Sequence, residues 1–181
     1  MDIEEQAFEF LPRVKEVFKN IPEEVQIEAA NRFIDGIFEK NDIVAQVQCG
    51  KQECSFCCHD QIMLSTQEAE YIKKNATYEI NQELLEKQRN ALDFKKLSFA
   101  DRACIFLKEG KCSIYEYRPL ICKSHNVKKG TNPNNCIVTD GLTKKPNEQA
   151  YSVPVQSMLY YFAMKDFPEL KSTFDHDFLK N

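Results

Sequence analysis

The chain has 181 residues, 43% of them hydrophobic and 29% charged, with a formal net charge of −4. That balance belongs to a folded soluble domain with enough chain to bury a core, and the acidic excess lacks the electrostatic footprint of a nucleic-acid binder. No run approaches the roughly 18 apolar residues of a membrane span, and the acidic start Met1-Asp2-Ile3-Glu4 lacks the basic-then-apolar pattern of a secretory leader. A single domain over residues 1–181, in the cytoplasm, is therefore expected.

Residues 1–48 contain no cysteine and read as a helical extension. Ile3, Ala7, Phe10, Leu11, Val14, Val17 and Phe18 recur at helical spacing, with Pro12 marking a kink or a late start. Ile21-Pro22-Glu23-Glu24 reads as a second start, with proline and acids in the first turn. Val25, Ala29, Phe33, Ile37 and Phe38 give that second helix an apolar stripe, so the pair should form a helical hairpin with both stripes in the core. Residues 49–58 read as a loop or knuckle. Ser65-Thr66-Gln67-Glu68 has the form of a capping box and opens a helix through residue 74. Residues 81–95 are again helical, with Leu84, Leu85 and Leu92 on one side.

Further on, Cys104-Ile105-Phe106-Leu107 and Cys112-Ser113-Ile114-Tyr115 flank a turn holding Gly110, which predicts a small β-hairpin with a thiol on each arm. A helix should begin within 115–120 and be limited by Pro119. Residues 126–152, with Gly130, Pro133, Gly141 and Pro146, form the longest loop-like stretch and contain Cys136. Residues 155–164 read as the last helix, with Phe167, Leu170, Phe174 and Phe178 spaced to dock on the body. The expected fold is mainly α, with helices packed around a cysteine-rich loop and a small β-hairpin metal centre. Its parts are a helical extension (1–48), a cysteine-cluster core (49–136), and a C-terminal helix and tail (137–181).

All eight cysteines fall between Cys49 and Cys136. Thiolates are soft ligands for zinc, copper(I) and iron–sulfur clusters. In a reducing compartment, clustered thiols more often bind metal or do redox chemistry than form structural disulfides. Cys54 and Cys57 have the two-residue separation that lets both sulfurs face one ion while amides of the turn donate to them. The side chains of Cys57 and Cys58 diverge, which suits two sites or a polynuclear centre better than one tetrahedral ion. Eight thiols fit two four-thiolate sites, or one cluster with thiols to spare.

His59 and His125 are further candidate ligands, the latter two residues beyond the Cys122 neighbour Lys123. Arg118 would either offset thiolate charge and donate hydrogen bonds to sulfur, or pair with Glu116 or Asp101. Tyr115 reads as packing beside the site. No glycine-rich phosphate loop, G-x-S-x-G elbow or H-E-x-x-H pair is present in the sequence.

Three segments together resemble the YkgJ-type cysteine-cluster proteins, the CxxCxxCC family of zinc- or iron-chelating domains, over about residues 49–136. They are Cys54-Ser55-Phe56-Cys57-Cys58, Cys104-Ile105-Phe106-Leu107 and the run from Gly110 to Cys122. The G-x-C-x-I-Y-x-x-R-P-x-x-C pattern of the last is the most specific part. The resemblance implies metal ligation by Cys49, Cys54, Cys57, Cys58, Cys104, Cys112 and Cys122. Cys136 and His125 match a further cysteine and a histidine of one subgroup, which makes His125 a candidate ligand or neighbour of the bound metal or cluster.

The chain departs from the pattern at three places. Cys49 and Cys54 are separated by four residues rather than two, Lys123 stands where arginine is usual, and Asn126 where the subgroup often has glycine. The implied function is metal binding, to zinc or an iron–sulfur cluster, in a structural, redox or regulatory role. The alternative is an iron–sulfur-dependent protein-modifying enzyme, since some longer relatives resemble flagellin lysine N-methylases. A metal ion is the implied partner, with a protein as a further candidate and neither nucleic acid nor membrane expected.

Overall fold

The structure, a computed structural model, describes residues 3–40, 55–124, 153–165, 167, 170–172, 175 and 179. Helix α1 (Ile3–Lys19) runs through Pro12 as one helix rather than starting late. Its buried face is Ala7, Leu11, Val14 and Phe18, spaced four, three and four residues apart as a helix stripe demands. Val17 belongs to the opposite side and is 61% exposed. This face lies along the last helix, α6 (Val153–Lys165), with Phe18 meeting Phe162 edge-on at 5.3 Å. Residues 3–19 are thus packed against the C-terminal helix. In α6, Pro154 sits in the first turn, where its missing N–H costs no helical hydrogen bond.

Helix α2 (Gln26–Lys40) follows a short 3-10 turn at Glu23–Val25. Gln26 holds the hairpin together, its Nε2 donating to the carbonyls of Phe18 (3.0 Å) and Ile21 (2.8 Å). The buried face is Ile27, Ala30, Asn31 and Ile34, whereas Val25 and Phe33 are 40% and 43% exposed. The expected stripe is therefore turned by about one residue. Both stripes have helical spacing, and packing against α6 and α5 selects the one built on aliphatic side chains.

Strand β1 (Met63–Leu64) leads into α3 (Thr66–Asn75), which the capping box opens as expected. Helix α4 (Gln82–Arg89) stops well short of residue 95. Asp93 there begins a separate 3-10 turn, its carboxylate accepting from the Lys95 N–H at 3.0 Å, a local bond that competes with helix continuation. Leu92 is consequently fully exposed, and Phe94 is the buried anchor.

Strands β2 (Leu107–Lys108) and β3 (Lys111–Cys112) pair antiparallel, with Leu107 opposite Cys112. Glu109 and Gly110 both have positive φ, 50° and 74°, as a type I′ turn requires. Cys112 lies on an arm of this hairpin. Cys104 does not, for it precedes β2 in a turn.

A 3-10 turn at Tyr115–Tyr117 comes before α5 (Leu120–Ser124). Pro119 starts this helix instead of limiting one: its carbonyl accepts the Lys123 N–H at 3.0 Å. Strand β4 (Lys171–Ser172) pairs with β1, an element the tail sequence did not suggest. Phe167 is 80% exposed rather than docked, and Leu179 is buried in its stead. Phe174 and Phe178 lie outside the described residues.

Two apolar clusters result. One joins α1, α2, α5 and α6; the other joins α3, α4 and the hairpin, with Cys104 and Cys112 packed against it. The architecture is mainly α, with two small two-stranded sheets among the described residues.

Candidate metal centre

Cys57 and Cys58 sit in a single 3-10 turn, Phe56–His59. The Cys58 N–H donates to the Ser55 carbonyl at 2.9 Å. That turn is joined to the hairpin segment by a backbone bond, from the Cys104 N–H to the Cys58 carbonyl (2.5 Å). Cys104 is tied onward to the hairpin, because its carbonyl accepts from the Leu107 N–H at 2.8 Å and Leu107 pairs with Cys112. The knuckle and the hairpin thus meet through main-chain bonds, independently of any sulfur ligand.

Cys58, Cys104, Cys112 and Cys122 are half-buried thiols. Partial burial of this kind shields a thiol from bulk water, a setting compatible with metal ligation. Cys122 comes from α5, whose Leu120 packs in the other apolar cluster. Cys49, Cys54, Cys136 and His125 lie outside the described residues. Among the described residues no three His, Cys, Asp or Glu groups converge on one point. The donor chemistry of the described thiols, Cys58, Cys104, Cys112 and Cys122, suits zinc or iron.

His59 is half-buried and stacked on Phe99, ring centroids 3.9 Å apart. Its Nδ1 lies 3.0 Å from the Ser55 carbonyl. A carbonyl oxygen only accepts, so Nδ1 carries the proton and Nε2 is the nitrogen left for a metal or another donor. The guanidinium of Arg102, two residues before Cys104 in the chain, lies 5.8 Å from the centroid of the same Phe99 ring.

Arg118 stands over the Tyr115 ring, its guanidinium carbon 3.9 Å from the centroid. Tyr115 is thereby a platform for the cation, consistent with a packing role. The Asp101 carboxylate is engaged elsewhere. It accepts from Lys87 Nζ and Ser98 Oγ, both at 2.7 Å. These hydrogen bonds, Lys87 first, hold the Asp101 carboxyl below the ordinary carboxylate range, and the same contact raises Lys87. Glu79 is likewise lowered by its hydrogen bond from Lys108, at 2.6 Å beside the hairpin.

Three supporting residues are not legible as such in the sequence. Gln88 is buried on α4, and its Nε2 donates to the carbonyls of Asp101 (2.9 Å) and Ala103 (2.7 Å), fixing the strand of chain that enters Cys104. Its one signal is a polar residue three positions after Leu85, on the apolar face. Lys123 donates to Asp35 on α2 at 2.8 Å, with its side chain only 13% exposed. Glu68 serves its own helix and also accepts the Leu120 N–H at 2.9 Å, 52 residues away.

No helix among the described residues is long and apolar enough to cross a membrane. Residues 48–141, just over half the chain, match the model of the CxxCxxCC family, described as "Putative zinc- or iron-chelating domain". No curated protein matches the chain, and no solved structure matches it.

Proposed function

From the premise that the chain belongs to the CxxCxxCC family of zinc- or iron-chelating domains, we propose that its thiolates hold zinc or an iron–sulfur cluster that fastens the knuckle, the hairpin and α5 to one another. The donors under this reading are Cys49, Cys54, Cys57, Cys58, Cys104, Cys112, Cys122 and Cys136. Arg118 supplies compensating charge, and His125 is a neighbouring ligand or hydrogen-bond partner. A bound ion of this kind contributes thiolate coordination energy that becomes folding energy.

The observation that carries the reading is the bond from Cys104 to the Cys58 carbonyl. It brings two cysteine segments distant in sequence side by side before any metal is considered. The surrounding residues do three things. Gln88 fixes the chain entering Cys104, the type I′ turn sets the register that presents Cys112, and the Arg118–Tyr115 stack holds a cation in the stretch between Cys112 and Cys122, where it would offset thiolate charge that is otherwise costly to bury. A cytoplasmic, reducing setting keeps such thiols available for metal.

Anaerobic purification with elemental analysis and visible absorption tests the proposal. Bound iron with broad visible absorption identifies a cluster, and a colourless protein with stoichiometric zinc identifies a zinc centre. Protein with neither metal and with its thiols paired overturns the reading. Cys104→Ser and Cys112→Ser should each lower the metal content per chain.

A further inference from the structure

We propose that Glu68 is the positioning residue for Cys122, acting as one carboxylate shared by the starts of two helices. The inference rests on the metal-chelating reading above and extends it to a residue outside the cysteine-rich segments. Helix α5 has five residues, too few to be stable by itself, and its first N–H groups need partners from outside. Glu68 supplies one, with Oε1 accepting the Leu120 N–H at 2.9 Å.

The other oxygen is held in place by Ser65. Oε2 accepts from the Ser65 N–H (3.1 Å) and from Ser65 Oγ (2.7 Å), while Ser65 Oγ accepts the Glu68 N–H (3.2 Å). Glu68 is only 7% exposed, and a carboxylate charge that deep needs donors such as these. A capping box for α3 alone requires only the bonds with Ser65. The additional bond crosses to the helix that carries Cys122, two residues beyond Leu120.

Other contacts define how α5 sits but not where it begins. Leu120 and Ser124 are buried, and the Lys123–Asp35 ion pair fastens α5 to α2. Glu68 fixes the starting point, and with it the position of the Cys122 Cα relative to α3.

Cobalt(II) replaces zinc in thiolate sites and reports sulfur ligation through its charge-transfer absorption. The metal-free protein and its E68A, E68Q, S65A and C122S variants are titrated with cobalt under anaerobic conditions, and folding is checked by circular dichroism. C122S should lose part of the charge-transfer intensity per cobalt. E68A should fall to the C122S level and bind cobalt about 10-fold more weakly, the scale seen when a ligand's supporting partner is removed.

E68Q retains an oxygen for the Leu120 N–H and should recover most of the wild-type spectrum. S65A removes the Oγ bond to Oε2 but leaves the Ser65 N–H and Leu120 N–H bonds to the carboxylate, and should therefore shift the spectrum less than E68A. Where E68A does not fold, E68D, too short to reach both Ser65 and Leu120, takes its place. A wild-type spectrum from folded E68A or E68D overturns the positioning role, as does loss of the fold in both. A C122S spectrum equal to wild type instead removes Cys122 from the ligand set, and the proposal with it.

Discussion

Arg118 and Tyr115 stack at 3.9 Å within the stretch that matches the family model. A cation over an aromatic face at this range contributes about 1 kcal/mol beyond packing, so Tyr115→Leu should lower the free energy of unfolding by that amount in urea titrations. Two glycines give opposite expectations. Gly110 has φ +74°, and a Cβ added there would meet no atom within 4 Å, so Gly110→Ala meets backbone strain alone and should cost about 1–2 kcal/mol. Gly36 also faces open space, but lies inside α2 with ordinary helical geometry. Gly36→Ala should therefore stabilise the protein by about 0.5–1 kcal/mol, read from the same titrations. At this scale the sequence is a good guide, because a turn glycine or a stacked pair is defined by neighbours within a few residues. Gln88 and Glu68 escape it because their second partners, Ala103 and Leu120, are far away in the chain.

Helix α2 shows where a periodic pattern stops being informative. Ile27, Ala30 and Ile34 are buried, while Phe33 is 43% exposed. Ile34→Ala should cost about 2–5 kcal/mol, and Phe33→Ala less than about 1 kcal/mol, a contrast that chemical denaturation resolves directly. The periodicity established that residues 26–40 are helical, but two stripes offset by roughly one residue had equal claim to the core. Helix α4 makes the complementary point. The apolar spacing of Leu85 and Leu92 continues past the helix, yet Asp93 caps a new turn and leaves Leu92 in solvent. By contrast, the α3 start and the β2–β3 turn follow the sequence closely, since the Ser65–Glu68 box and the Glu109-Gly110 loop are complete within four residues.

For the whole molecule, stability should depend on both acid and metal. Asp101, which precedes Cys104, has its carboxyl lowered chiefly by the Lys87 hydrogen bond. A lowered folded-state value means that its stabilising contribution is present above the unfolded value of about 3.9 and is lost as pH falls through the folded one. Asp101→Asn should therefore flatten the acid limb of a melting-temperature profile taken from about pH 6 to about pH 2. Removing bound metal with a chelator should lower the melting temperature, and returning the metal should restore it. The sequence alone determined the mainly helical character, the α3 cap, the hairpin turn and the cysteine spacing that carries the family resemblance. The first three are decided by residues within a few turns of chain, and the cysteine spacing is read directly from residue order. Only the tertiary structure decided which face of α2 is buried, that Gln61 and Ser172 meet across 111 residues beside the β1–β4 pair, that Cys104 lies on the Cys58 carbonyl, and that Glu68 caps α5. Those outcomes depend on burial and hydrogen bonding between distant segments, whose partners are selected by packing and leave no periodic mark in either segment.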